Sequence, residues 1–177
     1  VLGDHLQATE NPLALAARVR AAGRARARAR AALAASQSGA GSRLLVMVHG
    51  LCMNDLQWQQ GGHHHGDRLA DELGFEVIHL HYNSGVSIAA NGREFSALLQ
   101  QLLDTWPVPV ERIAIVAHSM GGLVSRAAIA TAQADGSPWL ARLDTLACLG
   151  TPHLGAPLER AGDLLQKLLG INAHSAP

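Results

Sequence analysis

A chain of 177 residues that is 48% hydrophobic can bury one real core, which predicts one main domain. Its formal net charge is zero, so no overall field favours nucleic acid or acidic substrates, and neither is expected as a partner. No apolar run approaches the roughly 18 residues of a membrane span, and no apolar segment follows a basic start as in a signal peptide, so a cytoplasmic protein is expected.

Residues 1–10 carry no pattern. From Pro12 to about Ala35 the chain is mostly Ala, Arg and Leu, good helix formers, with Asn11-Pro12 as a plausible start; this predicts an N-terminal Ala/Arg-rich helix. Its arginines (18, 20, 24, 26, 28 and 30) spread around the circumference at about 100° per residue, so a solvated helix is preferred over an amphipathic membrane anchor. Ser36 to Ser42 reads as a flexible linker, which divides residues 1–42 from a domain over 43–177.

Beyond the linker the pattern becomes regular. Leu44 to Val48 is a continuous apolar run, the signature of a strand buried on both faces. A helix is expected from Gly66 to Leu73, closed by Gly74, and a second strand from Phe75 to Tyr82. Asn91, answered by Glu94, is expected to cap a helix carrying the apolar stripe Phe95, Leu98, Leu99, Leu102 and Leu103. Arg112 to His118 is the third strand, Met120 to Ala134 its helix, and Asp144 to Leu149 the fourth strand. Leu158, Ala161, Leu164, Leu165, Leu168 and Leu169 mark a last amphipathic helix. Strands alternating with helices predict an α/β fold: a parallel sheet of about four strands flanked by helices on both faces.

In such sheets ligands bind beyond the carboxyl ends of the strands, so the residues that follow each strand enumerate the site. After the third strand comes Ala117-His118-Ser119-Met120-Gly121-Gly122, a serine on a strand-to-helix turn with small residues two before and two after it. This is the nucleophile-elbow pattern with Ala117 in place of the first glycine. After the first strand comes His49-Gly50-Leu51, whose Leu51 N–H could join that of Met120 in holding an oxyanion. Gly150-Thr151-Pro152-His153-Leu154-Gly155 follows the fourth strand.

With these three segments in order, the chain resembles the α/β-hydrolase superfamily over about residues 43–170, and within it the bacterial lipase- and esterase-like proteins related to GPI-inositol deacylase. The resemblance implies an α/β-hydrolase fold, a serine nucleophile at Ser119, oxyanion donors at Leu51 and Met120, and hydrolysis of a small-molecule or lipid carboxylic ester through an acyl-enzyme. It implies a site lined by His49, Gly50, His118, Gly121, Thr151 and His153, with no organic cofactor or metal. A non-catalytic binding module of the same fold remains the alternative, and a peripheral membrane role for the Arg-rich helix is a third reading.

Hydrolases of this fold carry the triad in the order Ser, acid, His, the last two after later strands. His118 occupies an x position of the elbow and should point away from the hydroxyl; His153 reads as structural or substrate-lining; His174 lies in an unpatterned tail; His49 belongs to the oxyanion loop. The expectation is therefore an N-terminal portion of a hydrolase, inactive alone, with its triad Asp and His downstream of Pro177 and its fourth strand an unprotected edge prone to association.

Elsewhere, His63-His64-His65 with Asp67 lacks metal-ligand spacing and reads as a polar loop and helix start. His79 and His81 share one face of a strand, and Asn83, Ser84 and Gly85 lie near the site by topology. Cys52 and Cys148 form no CxxC pair; one bridge is possible on paper, and two reduced thiols is the preferred reading.

Overall fold

The computed structural model describes residues 17–21 and 40–155. In chain order its elements are β1 (Arg18–Ala21), β2 (Arg43–Val48), a 3-10 turn (Asp55–Trp58), β3 (Gln59–Gln60), β4 (His63–His64) and α1 (His65–Leu73). They continue with β5 (Glu76–His81), α2 (Ile88–Thr105), β6 (Arg112–His118), α3 (Met120–Asp135), a second 3-10 turn (Pro138–Arg142) and β7 (Leu143–Leu149). The main sheet has the order β1-β5-β2-β6-β7, while β3 and β4 form a small separate hairpin.

The four strands read from the sequence are present and mutually parallel. The β2 run, Leu44 to Val48, is at most 4% exposed, because β2 is central and helices cover both sheet faces. Alternation along the strands sends Val46, Val48, Ile78, Leu80 and Ile115 to one face, where Phe95 and Leu99 of α2 and Val124 and Ala128 of α3 meet them. Leu45, Met47 and Val77 point to the other face, against Trp58 and the partly buried Leu69 and Ala70 of α1. Gly92 lets α2 and α3 approach closely, since a Cβ there would collide with Ala127. Gly74 closes α1 at φ 68, in the left-handed region that glycine tolerates.

Two expectations are corrected. The stretch 12–35 was expected to be helical, but Arg18–Ala21 is a strand, antiparallel to β5, which makes the sheet mixed and five-stranded. Helix propensity is a weak preference that tertiary contacts override. Here the outer edge of β5 offers unpaired backbone groups, Val19 packs against the core, and the Ala17 N–H donates to Glu94 Oε1 at 3.0 Å. Arg20 adds bonds from Nη1 to both carboxylate oxygens of Asp55, at 3.1 and 3.0 Å. The rest of 12–35, the linker residues 36–39 and the last amphipathic helix fall outside the described residues.

The second correction concerns the cap of α2. The helix begins three residues before Asn91, at Ile88, with the hydroxyl of the N-cap Ser87 accepting from the Ala90 N–H at 3.2 Å. Asn91 is 2% exposed inside the helix and donates to the carbonyls of Asn83 and Val86. Glu94, free of a capping role, holds Ala17 instead.

Candidate active site

The carboxyl ends of β2, β5, β6 and β7 lie together because the four strands are parallel and adjacent. Ser119, between β6 and α3, has φ 50 and ψ −122. For a residue with a Cβ this is a sparsely populated conformation, one that costs of order 1–3 kcal/mol and persists only where the surroundings impose it. The surroundings are close approaches of backbone. A Cβ on Gly121 would lie 2.5 Å from the His49 carbonyl oxygen and 2.8 Å from that of Val48, and one on Gly122 would collide with Thr151. Ala117 is fully buried at the end of β6. The Ser119 N–H donates to the Leu149 oxygen (2.8 Å), and its carbonyl accepts from the Gly122 N–H (3.1 Å). Although Ser119 occupies the N-cap position of α3, its side chain makes no capping bond, so among the described residues the hydroxyl is left uncommitted.

The loop after β2 runs beside this turn. A Cβ on Gly50 would lie 3.1 Å from both the Ser119 Cβ and His118 Nδ1, a tight contact that the absence of a side chain at Gly50 relieves. Leu51 is 56% exposed, and its N–H donates to no described residue. The Met120 N–H sits at the first helical position, where no preceding turn supplies an acceptor.

His49 is fully buried and turned inward. Its ring stacks on Tyr82 with centroids 4.3 Å apart. One tautomer satisfies both nitrogens: Nδ1–H donates to the Gly50 oxygen (2.9 Å) and Nε2 accepts from the Tyr82 N–H (3.4 Å). The Tyr82 hydroxyl in turn donates to the His49 carbonyl at 2.8 Å. Burial pushes the His49 pKa down and the Tyr82 pKa up, so both rings stay neutral. His49 thus holds the loop and is not available to take a proton.

The remaining histidines divide by their partners. His118 Nδ1 is buried without a partner. His153 is exposed, and its Nδ1 accepts from the Arg126 guanidinium at 2.9 Å, so an arginine stands where a catalytic histidine needs a carboxylate. His81 has the polarity such a base requires, with Nδ1 3.0 Å from Asp55 Oδ1. It lies on β5, however, two strands from β6, or about 9–10 Å across the sheet, beyond hydrogen-bond reach of Ser119. Burial works against the Asp55 charge, but the His81 hydrogen bond and the Arg20 charge outweigh it and hold its carboxyl below the usual range. His79 is 3% exposed with both ring nitrogens unpartnered and its ring edge-on to His64; burial lowers its pKa to about 4.

The site residues expected from the sequence therefore fall into two groups. Ser119, Gly50, Met120 and Gly121 meet around the β6–α3 turn, with His118 beside Gly50, Leu51 next along the same loop and His49 anchored behind it. Thr151 packs on Gly122 with its hydroxyl buried and unpartnered, while His153 and the 81% exposed Leu154 lie on the outer side. Tyr82, the Asp55–His81 pair and the hydroxyl of Ser84, which accepts from the Cys52 N–H at 3.1 Å, were not singled out by the sequence for the parts they play. A tyrosine ending a buried strand just before Asn-Ser-Gly was the only visible signal. Cys52 and Cys148 are both free. Among the described residues no three potential metal ligands cluster, and no helix is long and apolar enough to cross a membrane.

Residues 38–175 match the family described as "Putative serine esterase (DUF676)". No curated protein matches the sequence. Among solved structures, the lipase BlEst2 of Bacillus licheniformis is similar in its propeptide form, with 21% identity and a TM-score of 0.55 over 73% of this chain and 28% of that one. Its mature form gives 20% identity and a TM-score of 0.54 over 73% of this chain and 51% of that one. The chain thus spans at most about half the length of these structures. The fold is that of the α/β-hydrolases, and the chain belongs to this serine esterase family.

Proposed function

We propose that this chain carries the nucleophile and oxyanion hole of a serine ester hydrolase. Ser119 attacks the acyl carbonyl, the N–H groups of Leu51 and Met120 hold the oxyanion, and water releases the acid from the acyl-enzyme. The observation that carries this reading is the Ser119 backbone, held at φ 50 and ψ −122 with its hydroxyl making no capping bond. A serine kept in a strained turn without capping the helix it precedes is unexplained by stability alone. The substrate class proposed, a small-molecule or lipid carboxylic ester, is supported by the serine esterase family and by the similarity to the lipase structures.

The base and its acid partner come, in this reading, from outside the described residues. His49 is saturated by Gly50 and Tyr82, His153 is bound to Arg126, and the His81–Asp55 pair lies two strands away. Without such a base no Ser119-dependent turnover is expected. The test is a fluorophosphonate probe and p-nitrophenyl esters, applied to this chain and to the full-length product of its gene. The expected result is labelling and turnover of the full-length product, both abolished by Ser119→Ala. A full-length protein that neither labels nor turns over would make this a binding module of the same fold, and turnover by the short chain would place the base within it.

A further inference from the structure

We infer that Tyr82 and Ser84 are positioning residues that clamp the loop after β2 on either side of Leu51 and so hold its N–H towards Ser119. The inference rests on the hydrolase reading, but its structural half stands separately.

The Leu51 side chain is 56% exposed, so its own burial does little to orient the peptide it belongs to. Orientation comes from its neighbours. On the amino side, Tyr82 engages His49 three times: the rings stack, the Tyr82 N–H donates to Nε2, and the Tyr82 hydroxyl donates to the His49 carbonyl at 2.8 Å. On the carboxyl side, Cys52 adopts φ 55, a conformation an L side chain resists, and its N–H is held by Ser84 Oγ at 3.1 Å. Between these two anchored residues the Leu51 N–H is left without a described partner.

The clamp is itself fixed from behind. Asn91, buried in α2, donates through Nδ2 to the carbonyls of Asn83 (3.0 Å) and Val86 (3.1 Å). Asn83 Oδ1 accepts from the Gly85 N–H at 3.0 Å, and the Asn83 carbonyl also accepts from the Val86 N–H. A continuous set of hydrogen bonds thus leads from α2 through residues 83–86 to the two flanks of Leu51. Precision matters here because the Gly50 backbone already runs close to Ser119: a Cβ on Gly50 would lie 3.1 Å from the Ser119 Cβ. A preorganised oxyanion donor is effective only when it is in place before charge develops.

Three variants test this. Tyr82→Phe and Ser84→Ala each delete one hydroxyl, and Ser84→Thr keeps one. Amide hydrogen exchange, measured on the 177-residue chain, is expected to accelerate about tenfold in peptides spanning 49–53 in the two deletion variants. It should stay unchanged in α3 and return towards wild type in Ser84→Thr. Unchanged exchange at 49–53 in both deletion variants overturns the clamp. In the full-length product, Ser84→Ala is expected to lower kcat for p-nitrophenyl butyrate about tenfold at unchanged KM, less than the ~10²–10³ of deleting a donor outright, with rescue by Ser84→Thr. Raised exchange with unchanged kcat overturns the positioning role. A wild-type full-length product that neither turns over nor labels refutes the hydrolase reading, and the exchange measurement then decides the clamp by itself.

Discussion

The loops that follow β2 and β7 end strands of the same sheet at the same end, yet they are built differently. The loop after β2 begins with a fully buried histidine, is bonded to Tyr82 and Ser84, and reaches Asp55, which Arg20 and His81 hold. The loop after β7 is tied by two short turns of its own, from Thr151 to His153 and from Pro152 to Gly155, and by the exposed Arg126–His153 bond. Strand order accounts for the contrast. β2 has a neighbour on each side, so the loops after β5 and β6 flank its own, whereas β7 ends the described sheet and has only β6 beside it. A loop is fixed by what stands next to its strand more than by its own residues.

The largest test of this contrast uses the two glycines of α3. Gly121→Ala sets a Cβ against backbone of the inner loop, which cannot yield, and is expected to cost about 3 kcal/mol or more in chemical denaturation. For Gly122→Ala the nearest atoms all belong to the Thr151 side chain, and the change should cost roughly 1–2 kcal/mol, partly recovered in the Gly122→Ala/Thr151→Ala double variant. Equal costs, or no recovery, would remove the distinction between a fixed and a yielding loop.

A second test uses pH. His79 sits beneath the inner region, buried, unpartnered and with its pKa lowered to about 4 from 6.5. Between those values the unfolded chain binds a proton that the folded chain refuses, so this contribution to stability is present above about pH 6.5 and is lost as pH falls towards 4. Replacing His79 with Leu should flatten the dependence, sparing about 2 kcal/mol between about pH 7 and about pH 5 in parallel urea titrations. An identical slope in the variant would show that the buried ring is not the source.

Smaller effects follow at the turn and at the outer loop. Ser119→Gly relieves the positive φ and is expected to raise stability by about 1 kcal/mol, seen as a higher Tm, since glycine accepts that conformation but adds chain entropy to the unfolded state. A lower Tm would mean that the serine side chain contributes packing. Arg126→Ala, which breaks only the exposed bond to His153, should change stability by no more than about 0.5 kcal/mol in the same melt. A larger loss would show the loop after β7 to be more firmly held than its bonding suggests.

Much of this was legible from local pattern. The Leu44–Val48 run announced a strand buried on both faces, Gly74 the end of α1, and Ala117 to Gly122 a sharp turn that needs small residues. These features depend on backbone conformation and on alternation, which neighbouring residues in the chain specify. Arg18–Ala21 misled because alanine and arginine favour helix when nothing else competes, and here the free edge of β5 competed. Asn91 misled because a buried asparagine in a helix and one at its cap look the same in sequence.

By itself the sequence determined the parallel strands, the serine turn and the two N–H groups beside it as candidates. Only the tertiary structure decided which side chains serve them. Tyr82 is 33 residues from His49, and Asp55 is 26 from His81 and 35 from Arg20. Those pairings arise because β5 lies between β1 and β2, and hydrogen bonds across that order carry no periodic trace in the chain. A strained serine can be read from its small neighbours, but the donors set around it depend on which strands the fold brings side by side.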